Sequence, residues 1–227
     1  MLINFCLIFL IISGYLNSIP YFWYSLHINK NNNQSRLILS SFFSNIDQID
    51  IALDILNGII VKSPTWIITE FEKSFLHEQL GNIDLAISLI ESLKENKEFA
   101  AKSLLRISNI YRRNGDYRKS LQTVEKIDAS VESFPEVYYY RSLNLVLLEE
   151  WDKAIDSFDI LLEFYPNNAE ISNFIGYTLI DRNVRLEEGI SLIRFAVNQE
   201  PQNGFYIDSL GWAYYQLGDL SKAITYL

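Results

Sequence analysis

One interval constrains this chain more than any other feature. Stepping back from Ala223 in strides of 34 residues, with one stride of 35, lands on Gly189, Ala154, Ser120, Ala86, Ala52 and Ser18. The same strides from Gly211 land on Gly176, Ser142, Ser108, Ser74, Ser40 and Cys6. Every residue in both registers is small. Two small positions separated by a turn describe short helices that touch where a larger side chain would push them apart. A helix–turn–helix unit repeated at this period buries its apolar face only by stacking on its neighbours. The expected fold is therefore all-α, with stacked hairpins.

Further columns follow the same strides. Tyr15, Ile49, Ile83, Tyr117, Trp151, Leu186 and Leu220 are expected to begin the second helix of each hairpin. Phe22, Leu56, Ile90, Val124, Phe158, Ile193 and Leu227 are expected on its buried side. Pro64, Pro166 and Pro201 follow second helices, where a ring that cannot extend the helix ends it. The single 35-residue stride is assigned to one extra residue in the turn between Asp181 and Leu186.

The organisation expected is an apolar segment over residues 1–32 and an array of about six repeats over 33–227, the last one truncated. Residues 1–29 contain no Lys, Arg, Asp or Glu. Two readings of that segment stand side by side. One is a degenerate first repeat, because Cys6 and Ser18 fall on the two small-residue columns. The other is an export signal or anchor built on the apolar run Leu2–Ile12, although no positive residue precedes the run. Membrane contact, if any, is expected only through residues 1–26. With Leu227 ending a helix early, and Phe5, Phe9, Phe22 and Trp23 lacking a preceding repeat, self-association through the array ends is a further expectation.

Charge and chemistry narrow the function. The net charge is −9 and the sequence pI about 4.8, with no basic stripe, which counts against a nucleic-acid partner. The single cysteine, Cys6, sits in a packing column and says nothing of redox compartment. Of the two histidines, His77 shares a column with Tyr111 and Tyr214 and is expected to be a packed ring. His27 has no carboxylate or cysteine at metal-ligand spacing. No glycine-rich phosphate loop, paired-cysteine motif or nucleophile elbow is present. Glu149-Glu150 and Glu187-Glu188 fall at hairpin turns as solvated charge. No enzyme activity, cofactor or metal is expected.

The stretch Leu210-Gly211-x2-Tyr214, followed by Gly218-Asp219 and Ala223, resembles the tetratricopeptide repeat (TPR) family, and its recurrence extends the resemblance over almost the whole chain. The resemblance implies a right-handed α-solenoid of helix–turn–helix hairpins whose first helices line a concave face. Asn173 to Arg182, Leu186 to Gly189 and Asp208 to Tyr215 are similar to a group of bacterial envelope-associated TPR scaffolds. That likeness implies a cell-envelope or periplasmic location, whereas a true repeat at the N-terminus would suit the cytoplasm. A different branch of the family grips acidic chaperone tails. Lys102 and Arg106 match part of its motif, but Leu37, Ser41 and Glu72 occupy the remaining positions, which argues against that ligand.

Counting along the first helices in register gives the residues expected to face a groove. They are Phe71, Phe75, Asn109, Arg112, Arg113, Tyr139, Leu143, Asn173, Tyr177, Asp208, Trp212 and Tyr215. Aromatic and arginine side chains are frequent interface anchors, and Tyr177, Trp212 and Tyr215 are expected to form one aromatic strip. The function expected is a non-catalytic scaffold that binds a peptide or helix of a protein partner in that groove. The alternative is an assembly subunit that oligomerises through its ends.

Overall fold

A computed structural model of the chain describes residues 18–96, 98–127 and 135–226. Among the described residues there are helices and turns and no strand. The chain divides into two compact units, residues 1–116 and 117–227. The first contains a helix over 18–28 (α1), then α2 (Asn33–Asn45), α3 (Ile49–Asn57), α4 (Trp66–Gln79), α5 (Ile83–Glu91) and α6 (Ala100–Arg113). The second contains α7 (Tyr117–Val124), α8 (Glu136–Leu147), α9 (Trp151–Phe164), α10 (Ala169–Asp181), α11 (Leu186–Gln199), α12 (Gly204–Gln216) and α13 (Leu220–Tyr226). Within each unit, consecutive helices pair as hairpins and each hairpin packs on the next, so the fold is an all-α solenoid. Among the described residues no helix is long and apolar enough to cross a membrane.

The second-helix column is met at every described position: α3, α5, α7, α9, α11 and α13 begin at Ile49, Ile83, Tyr117, Trp151, Leu186 and Leu220. The turn that sets those starts is the same each time. Asp47, Gly81, Gly115, Glu149, Asn183 and Gly218 all have positive φ, between 57° and 85°. At each, the residue's own N–H bonds back three residues, and the next N–H bonds back five, as in Gly81 to Glu78 O (2.9 Å) and Asn82 to His77 O (2.9 Å). This double closure ends the first helix with a left-handed residue. Glycine adopts that conformation freely; Asp47, Glu149 and Asn183 hold it against the clash of their Cβ. In five turns the second helix begins two residues after the left-handed position, but after Asn183 it begins three later. Arg185, itself left-handed at φ 48°, takes up the extra residue. The longer stride lies where the sequence placed it.

Both small-residue columns are buried. Ala52, Ala86, Ser120 and Ala154 have no exposed surface, and neither do Ser74, Ser108 and Ser142. The closest approach is in the hairpin of α10 and α11. A Cβ built on Gly176 would stand 2.6 Å from the Gly189 carbonyl oxygen and 2.8 Å from Ile193 Cγ1. The column one turn further along the second helix fills the interior. Leu56, Ile90, Val124 and Ile193 are fully buried and Phe158 is 1% exposed. Each such side chain contributes about 1.5–3 kcal/mol of burial. Ser18 and Phe22 are half-buried, while Cys6, Tyr15 and Leu227 lie outside the described residues.

First helices start at different caps. The Oδ1 atoms of Asn32, Asn168 and Asn203 accept from the N–H groups of Ser35, Ile171 and Phe205, at 3.2, 3.0 and 3.1 Å. On α13, Leu220 and Ile224 are exposed, as is Trp23 on α1. Phe5, Phe9 and the apolar run at residues 2–12 lie outside the described residues, so neither reading of that segment is addressed by the fold.

Candidate binding groove

Three first helices of the second unit, α8, α10 and α12, converge on an open groove of about 620 Å³. Its walls are Tyr139 from α8, Glu170, Asn173, Phe174 and Tyr177 from α10, and Phe205, Tyr206 and Ser209 from α12, with the capping Asn203. The α10 set falls at i, i+3, i+4 and i+7, which places all four side chains on one helical face. A second depression of about 490 Å³, lined by Glu200, Pro201, Gln202 and Asn203, shares Asn203 with the groove.

The aromatic wall is built from the core outward. Phe158, buried on α9, meets Phe174 edge-on at 5.6 Å between ring centroids, and Phe174 in turn meets Tyr139 edge-on at 5.7 Å. Two rings therefore have their orientation fixed by packing beneath them. Phe205 and Tyr177 stand above, 83% and 41% exposed. Tyr206 is buried, and burial raises its hydroxyl pKa first, with the charges of Glu200 and Glu170 adding to the rise. Asn203 is held by its cap bond and by donating Nδ2 to Glu200 Oε2 at 2.9 Å. Asn173 Oδ1 lies buried in the wall without a hydrogen-bond partner.

The residues singled out from sequence separate into three groups. Tyr139, Asn173 and Tyr177 line this groove. Trp212 and Tyr215 stack on each other at 5.5 Å and are not among its lining residues. Trp212 also packs half-buried against the α11–α13 core. Asp208 is exposed on α12, and Leu143 half-buried on α8.

In the first unit, Phe71 packs against the core of α5 and α6, while Phe75 lies beneath the Arg106 guanidinium at 5.7 Å. Arg112 donates to Asn109 Oδ1 at 2.7 Å, and Arg113 pairs with Glu78 at 3.4 Å. Glu78 also meets Arg106 at 2.7 Å, an ion contact outside hydrogen-bond geometry, with both side chains nearly buried. These polar residues bind one another.

Glu170, Phe174, Asn203, Phe205, Tyr206 and Ser209 were not foreseen. The signal was present: Glu170 and Phe174, each three residues before Asn173 and Tyr177, complete the face, and Phe205 is an aromatic one turn before the small residue Ser209. His77 is a half-buried ring whose pKa is lowered by burial and then by Lys73, consistent with its packing column. Among the described residues no three His, Cys, Asp or Glu side chains gather where they could hold a metal ion.

Two family models described as tetratricopeptide repeat match residues 136–168 and 208–227. The TPR repeat-containing protein PA4667 of Pseudomonas aeruginosa is 26% identical over 151 residues, covering 65% of this chain. The chain spans about a quarter of that relative, 25% of its length. Among solved structures, MamA from Desulfovibrio magneticus RS-1 superposes with a TM-score of 0.60 at 17% identity, over 70% of this chain and 90% of that one. The Cut9–Hcn1 hetero-tetramer of the APC/C superposes with a TM-score of 0.61 at 15% identity, over 90% of this chain and 40% of that one. These structural likenesses concern the fold. The two repeat models, the relative and the recurring hairpin all mark this chain as similar to tetratricopeptide repeat proteins.

Proposed function

We propose that the chain is a non-catalytic scaffold that captures a segment of a protein partner in the groove formed by α8, α10 and α12. The observation that carries this is one groove lined by the exposed rings of Phe205 and Tyr177 together with Tyr139 and Phe174, the last held edge-on by Phe158. A rigid aromatic wall can desolvate a partner's side chains at little ordering cost, the arrangement that concentrates binding energy in few residues. The exposed carboxylate of Glu170 supplies a polar point beside these rings for a bound segment.

Photo-crosslinking in the source cells tests this. A benzoylphenylalanine at Phe205 should trap a partner that the same probe at the exposed Asp156 of α9 does not. Tyr177→Ala should abolish the product while circular dichroism stays unchanged. Equal trapping from both positions would refute the groove. If the trapped species is a second copy of the chain, the assembly-subunit reading replaces this one. The exposed Leu220 and Ile224 of α13 are what favour that second reading.

A further inference from the structure

The charge of the molecule is not shared between its two units. Residues 117–227 carry 17 Asp and Glu against 9 Lys and Arg, while residues 1–116 carry 11 against 10. Nearly all of the net charge of −9 therefore resides in the unit that holds the groove. Within the groove the imbalance is complete. Its nine lining residues include Glu170 and neither Lys nor Arg, and the adjoining depression adds Glu200.

Aromatic rings supply the second half of the observation. The face of a phenylalanine or tyrosine ring is a site of negative potential that attracts an ammonium or guanidinium group within about 6 Å. The second unit uses such contacts elsewhere: Arg182 lies 4.1 Å from the Trp151 centroid, and Arg194 and Lys222 lie 5.6 and 5.1 Å from that of Tyr214. Among the described residues, no such contact places a cation of this chain over Tyr177, Phe205 or Tyr206. The groove thus offers exposed ring faces and a carboxylate on one of its walls, both of which favour a hydrogen-bond-donating cation. A polyanion meets only like charge there.

We infer that the groove takes a Lys- or Arg-bearing segment of the partner, seating the cationic side chain between Tyr177, Phe205 and Glu170. This rests on the groove reading above and specifies what the groove selects. Guanidinium fits better than ammonium, because a planar group stacks on a ring while its edge still donates to a carboxylate. Electrostatic attraction toward the acidic unit raises the encounter rate, and the ring contacts hold the segment once it arrives.

The experiment uses the whole 227-residue chain and three fluorescein-labelled nonapeptides of alternating sequence, Arg-Leu, Gln-Leu and Glu-Leu, followed by anisotropy in 0.15 M salt. The Arg peptide is expected to bind at least about tenfold more tightly than the Gln peptide, and the Glu peptide not at all. Tyr177→Ala with Phe205→Ala, and separately Glu170→Gln, should each weaken the Arg peptide by about tenfold. Glu187→Gln, on α11 and away from the groove, should leave it within about twofold.

Equal affinity for the Arg and Gln peptides, with both lost in the double alanine variant, would leave the groove standing and overturn the selection for cations. Arg-peptide binding that Glu187→Gln weakens as much as Glu170→Gln, and that the alanine variant does not touch, would show diffuse attraction and overturn the proposal. Binding of none of the three would overturn it as well, while the photo-crosslink at Phe205 would still decide the groove itself. Circular dichroism of every variant separates loss of binding from loss of fold.

Discussion

Replacing Gly176 by alanine asks how tightly the α10–α11 hairpin is closed. The added Cβ meets the Gly189 carbonyl oxygen at 2.6 Å, Ile193 Cγ1 at 2.8 Å and the Ile193 nitrogen at 3.1 Å. Two of those three atoms are backbone and cannot rotate aside, so the helices must separate by several tenths of an ångström. Overpacking of this kind costs about 1–3 kcal/mol, and two backbone contacts point to the upper half of that range. Alanine recovers about 1 kcal/mol of helix propensity over glycine. The net expectation is a loss of about 1–2 kcal/mol. For a chain of this size each kcal/mol moves the thermal midpoint by about 2–4 °C, so the midpoint should fall by about 2–8 °C. Gly204→Ala is the control, because a Cβ there meets nothing within 4 Å. Its midpoint should hold or rise. Differential scanning calorimetry with hydrogen exchange on α10 and α11 reads both. An unchanged or higher midpoint for Gly176→Ala would show that the two helices are not in contact through their backbones, and the small-residue columns would lose their explanation.

Five other substitutions probe three separate features. Ala154→Leu, at a position with no exposed surface, should lower stability by about 1–3 kcal/mol in urea unfolding. Its exposed neighbour Lys153→Gln, which loses only a surface pair with Glu150, should change stability by less than about 0.5 kcal/mol. Glu149→Gly relieves a left-handed backbone at φ 59° and should raise the urea midpoint by about 0.5–1 kcal/mol equivalent. Gly81→Ala, in the corresponding turn of an earlier repeat, should lower it similarly. Glu78→Ala leaves the nearly buried Arg106 without its carboxylate and should cost about 3 kcal/mol. The loss should persist in 1 M salt, since little water reaches the pair.

Packing was legible in the sequence because it is local and periodic. Ala86 and Ser74 repeat their environment every 34 residues, so a single missing side chain recurs as a readable mark. The turn was legible for the same reason, with glycine at three of six left-handed positions. The groove was less so. Its lining depends on which of two neighbouring positions on a first helix turns outward, and that is fixed by the packing beneath. Phe174 was overlooked because Phe158, a side chain from the preceding hairpin, is what aims it. Trp212 packs half-buried against its own core, which a count along the helix does not reveal. Arg112 and Arg113, expected to face the groove, are held by Asn109 and Glu78, partners on the same and the neighbouring hairpin that a count along one helix does not reveal.

The long turn after Asn183 marks a place where the molecule can be extended. Hydrogen bonds close the chain on both sides of it: Val184 N–H to Leu179 O at 2.9 Å ends α10, and Gly189 N–H to Arg185 O at 2.9 Å opens α11. The extra residue sits between those closures, and the same hairpin still brings Gly176 and Gly189 into close approach. A passenger segment spliced between Val184 and Arg185 would enter the same gap, and each doubling of a flexible loop costs only about 0.6 kcal/mol. The joint is therefore a natural port for a fluorophore or tether, from which binding to the groove can be watched without touching a residue that lines it.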